Sequence, residues 1–234
     1  MTVDILRPSI FADTSDIAEI KSLSELGIIH GITTNPLIVA KQAKTSSPNT
    51  YYETIAKEFP QYPVSIQLLD NDIPTLIKQG KEYAAIASNV VVKVPMFGDG
   101  KGLSVIYALT SEGININVTA LMNAEQALLA HAAHNGHEPA YLSLFLNRIK
   151  DGGGNPTNEI GRTREMLDKI DSNSKIITGS IRGPEDVFQA VIAGTHIITV
   201  QPKVIRQMIQ HDQSDKFINQ CQDQWNDFMS AKSS

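Results

Sequence analysis

Eight short apolar segments, mostly β-branched, alternate with helix-period stretches along this chain. That alternation predicts an α/β protein, a (β/α)8 TIM barrel with an extra C-terminal helix. Two observations favour the barrel over an open doubly wound sheet. Neither G-x-G-x-x-G nor G-x-x-x-x-G-K-[ST] follows the first strand. The 234 residues also suit a single barrel over 1–234, with no linker to divide it.

Strands are expected at Ser9–Asp13, Ile28–Thr33, Pro63–Leu68, Asn89–Val94, Ile114–Thr119, Ala140–Phe145, Lys175–Gly179 and His196–Val200. The helices between them are punctuated. Asp16 with Glu19 reads as an N-cap and an acid three residues on, followed by a stripe of Ile17, Ile20 and Leu23. Leu103, Ile106 and Leu109 mark a helix ending at Gly113. Asn123 and Gln126 open another, through Leu128 and Leu129, that stops near Gly136. Pro184 suits the first turn of a helix through Val187 and Val191 to Gly194. Lys41–Asn49 reads as a surface loop or helix start, and Asp151–Pro156 as one Gly-rich loop. Phe217, Cys221, Trp225 and Phe228 give an apolar face to a final helix over 214–229. That face would cover the barrel's own bottom or dock on a neighbour.

Composition narrows the function. With 25 acidic and 20 basic residues and a net charge of -5, the chain shows no nucleic-acid footprint. Cys221 is the only cysteine, which excludes intrachain disulfides and cysteine-cluster metal sites. No apolar run approaches the ~18 residues of a membrane span, and the first residues lack a signal-peptide core. The expectation is a soluble cytoplasmic protein.

Catalytic groups of such barrels lie at the C-terminal ends of strands and in the loops that follow. Those ends carry Asp13 with Thr14, Thr33-Thr34-Asn35-Pro36, Gln67, Lys93, Asn117 with Thr119, Ser143 through Arg148, Ser180 with Arg182, and Gln201. Any one of them could be a helix cap; the whole set on one rim is more than the fold requires. Lys93 is the most informative. In Asn-Val-Val-Val-Lys-Val-Pro it shares a face with Val91 and Pro95, which period two places inside the barrel. Burial lowers an amine's pKa and leaves a nucleophile suited to Schiff-base chemistry. A lysine snorkelling out at the strand end is the alternative. Asp13 could shuttle the proton, since Asp16 fills the capping role more naturally. Arg148, Ser180 and Arg182 could hold a phosphate or another anion. His131, His134 and His137 lie three apart, but Gly136 should end the helix before the third, so no metal is expected. Asp70-Asn71-Asp72 lacks the rest of a calcium loop and reads as a turn.

Together these residues resemble the transaldolase family, specifically its small members, which include fructose-6-phosphate aldolase. The similarity runs from about Ile10 to Phe228. It is carried by Ala-Asp-Thr-Ser at 12–15, Gly-Ile-Thr-Thr-Asn-Pro at 31–36, Val-Val-Lys-Val-Pro at 91–95 and Asn-Val-Thr at 117–119. Ser143-Leu-Phe-Leu-Asn-Arg148 and Gly-Ser-Ile-Arg at 179–182 look like later family signatures.

The resemblance implies a metal-free, cofactor-free aldol mechanism on sugar phosphates, in a pentameric or decameric homo-oligomer. Lys93 would form the Schiff base and Asp13 move the proton, with Gln67 and Thr119 holding the catalytic water. Thr34, Asn35, Asn117, Ser143 and Phe145 would line the dihydroxyacetone site, and Arg148, Ser180 and Arg182 would hold the phosphate. Gln67 is aldolase-like, whereas Phe145 is transaldolase-like. Leu144, Lys150 and a longer Met96–Gly102 loop also depart from the family pattern. The expected activity is transfer of a dihydroxyacetone unit between ketose and aldose phosphates. The rivals are a hydrolytic aldolase, an enzyme of a modified, for example sulfonated, sugar, and a non-catalytic sugar-phosphate binder.

Overall fold

The structure, a computed structural model, describes residues 8–42, 47–134, 136–137 and 139–232. Its eight strands are β1 (Ser9–Asp13), β2 (Ile29–Thr33), β3 (Val64–Gln67), β4 (Val90–Pro95), β5 (Ile116–Leu121), β6 (Tyr141–Phe145), β7 (Lys175–Gly179) and β8 (Ile197–Val200). They pair in parallel in sequence order, and β8 returns to β1, so the sheet closes into the expected barrel. All eight predicted strands form. β5 begins two residues later than expected and runs on to Leu121.

The helices that wrap the barrel are α1 (Ile17–Glu25), α2 (Pro36–Gln42), α3 (Pro48–Glu58), α4 (Ile73–Ala84), α5 (Lys101–Thr110), α6 (Ala124–Ala133), α7 (Leu146–Asp151), α8 (Pro156–Lys169), α9 (Pro184–Ile192) and α10 (Pro202–Ile209). A final α11 (Asp212–Lys232) follows them. Short polar side chains set several starts. Asp16 accepts from the amides of Ala18 and Glu19, and Asn123 from that of Gln126 at 2.8 Å. Asp72 caps α4 through Thr75, while Asp70 turns back onto the amides of Asn71 and Asp72, so this acidic trio is a turn. The predicted Lys41–Asn49 segment falls partly outside the described residues. Its described ends close α2 and open α3, with Ser47 as cap.

Two apolar layers result. Ile20, Leu23, Ile66, Val92, Val118 and Leu142 lie fully or almost fully buried in the main core, which the helices cover. Burying each such side chain contributes roughly 1.5–3 kcal/mol. Phe11, Ile177 and Ile197, with Tyr141 against them, form a separate cluster. Phe11 requires a glycine opposite. A Cβ on Gly31 would stand 2.5 Å from its ring.

Hydrophobic spacing left two surfaces undecided. On α6 the buried positions are Ala124, Ala127 and Ala130, while Leu128 and Leu129 are exposed. Small residues let that helix lie close to the strands. α11 is longer than the expected 214–229 and buries none of its residues, so it does not cover its own barrel.

Candidate active site

The mouth of the barrel is built from strand ends. Strand pairing sets Gln67, Lys93 and Asn117 side by side across β3, β4 and β5. Asp13 lies beside Thr33, across β1 and β2. Lys93 is buried, with 4% of its surface exposed, and its Nζ donates to the Thr34 carbonyl at 3.3 Å. It does not snorkel out. Loss of water pushes the amine's pKa down, and the charge of Asp13 partly offsets that. The Asp13 carboxyl moves the other way, up through desolvation, against the pull of Lys93 and of Thr33 Oγ1, which donates to it at 2.9 Å. Thr33 in turn makes a short hydrogen bond to Thr199 of β8. Asp16 caps α1, so Asp13 is free of that task.

Beyond the amine, Thr119 Oγ1 and Asn117 Oδ1 are buried and face no protein partner among the described residues. Asn117 Nδ2 is already committed to Ser65 Oγ at 3.0 Å. Buried polar atoms left in that state cost about 1–3 kcal/mol each unless water or ligand satisfies them. The backbone supports this placement at some expense. β5 departs from regular register between Val118 and Leu121, and Ala120 between them has φ 61°. Strain of this kind concentrates at functional sites.

The other predicted residues divide by role. The Thr34 hydroxyl donates to Ser65 O at 2.8 Å, so this residue holds the carbonyl on which Lys93 rests. Asn35 Oδ1 accepts from the Ile38 amide and starts α2, which leaves its NH2 for a ligand. Ser143 is buried on β6. Phe145 is half-buried against Gly179, where an added Cβ would lie 3.3 Å from Thr199 and 3.5 Å from the Phe145 ring. Gln67 is half-buried at the end of β3. A cavity of about 410 Å³ opens beside it, lined by Leu68, Leu69, Asp70, Asn71, Pro95 and Phe97.

Arg148, Ser180 and Arg182 lie across the mouth, after β6 and β7. Both arginines are exposed. Arg182 is bidentate to Asp151, which holds that carboxyl below its usual range. Ser180 has φ 59°, a conformation that costs a non-glycine residue roughly 1–2 kcal/mol. Around it the Asn147 amide nitrogen donates to Ser180 O and to Asp186 Oδ2, both at 2.7 Å. Sequence reasoning passed over Ser65, Thr199 and Asp186, and it placed Thr33 and Asn147 at strand ends without giving either a role. Each looks locally like an ordinary strand or helix residue, and its partner is distant in the chain.

The histidines settle elsewhere. His131 and His134 share a 2.8 Å ring contact, and His137 lies 3.3 Å from Asn115 Oδ1. Among the described residues no group of three or more His, Cys, Asp or Glu is placed to hold a metal ion.

A desolvated amine beside a carboxyl group, at the mouth of a closed parallel barrel, is an arrangement able to carry Schiff-base chemistry. Comparison with known proteins gives the family. The family model described as transaldolase/fructose-6-phosphate aldolase matches residues 10–233. Proteins named probable transaldolase from Halalkalibacterium halodurans and Oceanobacillus iheyensis are 39% and 38% identical, each over 92% of this chain and 98% and 97% of their own. A third, from Lactiplantibacillus plantarum, is 34% identical over 95% of this chain and 98% of its own. The chain belongs to the transaldolase/fructose-6-phosphate aldolase family and is an enzyme of the transaldolase type. Solved structures share the fold at much lower identity. A dihydrodipicolinate synthase variant has a TM-score of 0.59 at 14% identity, over 86% of this chain and 71% of its own. A putative deoxyribose-phosphate aldolase from Coccidioides immitis has 0.58 at 13%, over 90% and 88%.

Proposed function

We propose that this enzyme transfers a dihydroxyacetone unit from a ketose phosphate to an aldose phosphate through an imine on Lys93. The observation that carries the reading is the buried, pKa-depressed amine next to Asp13. The amine adds to the ketose carbonyl and water leaves, giving an imine. Protonated, that imine draws the electrons of the adjacent carbon–carbon bond. Asp13 takes the proton of the hydroxyl whose oxygen becomes the aldehyde, and the enamine keeps three carbons attached. An acceptor aldehyde then forms the new bond, Asp13 returns the proton, and water frees Lys93. Thr119 and Gln67 hold that water, while Asn35, Asn117 and Ser143 take the hydroxyls of the three-carbon unit. Arg148, Ser180 and Arg182 take the phosphate.

The second reading is a hydrolytic aldolase, favoured by the amide at Gln67. Incubation with fructose 6-phosphate, with and without erythrose 4-phosphate, separates the two. Turnover only with acceptor supports transfer, and equal release of dihydroxyacetone without it supports cleavage. Borohydride added with dihydroxyacetone should fix a three-carbon adduct on the Lys93 peptide. No adduct there, or full activity in Lys93→Ala, removes the mechanism.

The same reading places the enzyme in the pentose phosphate pathway of the cytoplasm, as a homo-oligomer of five or ten copies. Its support is family resemblance, the lack of any described helix long and apolar enough to cross a membrane, and α11. That helix exposes 64% of Phe217 and 62% of Trp225, an apolar face suited to a second copy of this chain.

A further inference from the structure

We infer that Asn147 and Asp186 are positioning residues, a buried clasp that sets the spacing and backbone of the anion-binding side of the mouth. The inference rests on the proposed assignment of Arg148, Ser180 and Arg182 to a phosphate. Those residues follow two neighbouring strands whose pairing stops at Phe145 and Gly179, short of all three.

The clasp joins the two connections through atoms that are almost wholly out of water. Asn147 is 4% exposed and Asp186 9%. From the β6 side, Asn147 gives both its backbone N–H (3.3 Å) and its side-chain amide (2.7 Å) to the carbonyl of Ser180. The same amide group reaches Asp186 Oδ2 at 2.7 Å. From the α9 side, that one oxygen also accepts the N–H groups of Arg182 (2.8 Å) and Gly183 (3.2 Å). Ser180 is thereby held with φ 59°, a conformation that a serine keeps only when its surroundings impose it.

Two consequences follow. Arg148 sits next to Asn147 in sequence and Arg182 is held by its own N–H, so the bases of both arginines are tied to one hydrogen-bonded unit. The amides of Arg182 and Gly183, at the start of α9, are used by Asp186 and are not offered to an anion. Recognition there falls to side chains: two guanidinium groups and the Ser180 hydroxyl. A pre-organised pair of this kind acts on binding of the charged substrate and not on the amine chemistry across the mouth.

Steady-state kinetics with saturating fructose 6-phosphate as donor and two acceptors, erythrose 4-phosphate and erythrose, test this. Asn147→Ala and Asp186→Ala should each raise KM for the phosphorylated acceptor at least tenfold. They should change kcat less than threefold and KM for erythrose less than threefold. Asp186→Asn keeps an oxygen where Oδ2 stands and should recover most of the loss. If Asn147→Ala does not accumulate folded, Asn147→Ser carries the same comparison. Equal losses for both acceptors, or a loss confined to melting temperature, would make these residues part of the fold alone and overturn the inference. If the wild-type enzyme does not distinguish the acceptors, the anion assignment itself fails, and the clasp with it.

Discussion

The two halves of the barrel mouth are built on opposite principles. On the β1–β5 side the reactive groups sit on strands: Lys93 is buried, and Asp13 is half-buried, partly desolvated and fixed by Thr33. On the β6–β8 side the charged groups are exposed arginines, one on α7 and one in the loop before α9, the latter already paired with Asp151. Burial tunes a pKa but makes a full charge expensive. Exposure leaves charge intact but weakens each contact through solvent and salt. Chemistry that needs a neutral amine belongs on the dry side. Capture of a doubly charged phosphate belongs on the wet one, where the guanidinium groups stay ionised without a desolvation cost.

The largest expected effect comes from breaking the dry half. Asp13→Asn removes the proton carrier and should lower turnover by about 10²–10⁴-fold. It should leave imine formation possible and move its pH dependence. The carboxylate raises the pKa of Lys93, so without it the amine deprotonates at lower pH. Borohydride trapping of dihydroxyacetone should then extend to more acidic conditions than in wild type. A trapping curve that stays put, or shifts upward, would show that the two groups do not interact as the structure places them.

Next is the wet half. Arg148→Ala or Arg182→Ala should weaken a sugar phosphate by about 10- to 150-fold, the equivalent of a lost charge-assisted bond of roughly 1.5–3 kcal/mol. Free dihydroxyacetone should bind much as before. Because these groups are exposed, the phosphate's advantage should shrink as salt rises, whereas trapping at Lys93 should not. If added salt slows both equally, the contrast between the halves is wrong.

The smallest effect lies on the seam between them. Phe145 borders Gly179 at the end of β6. Phe145→Tyr adds a hydroxyl that can bond the water serving the enamine and should raise free dihydroxyacetone relative to transferred product. Assay at saturating acceptor measures that ratio. An unchanged ratio would exclude this position from the partition, and wild-type release as fast as transfer would favour the aldolase reading.

Much of this was legible along the chain because it is governed locally. β-Branched runs, caps such as Asp16 and Asn123, and Pro184 at a helix start act over a few residues, and each produced the element expected of it. The inward-facing position of Lys93 followed from period two. The exposed leucines of α6 did not follow, because apolar spacing does not report how closely a helix must approach its sheet.

The sequence by itself determined the eight strands, their parallel order around one barrel, and which polar side chains stand on the rim. Only the tertiary structure decided what those side chains do to one another. Thr33 bonds Asp13 across 20 residues, Asn117 bonds Ser65 across 52, and Asn147 meets Asp186 across 39. It also decided that α11 buries nothing against its own chain. The physical reason is range. A backbone conformation answers to neighbours within a turn or two, whereas desolvation and side-chain hydrogen bonding depend on whatever closure of the barrel brings alongside.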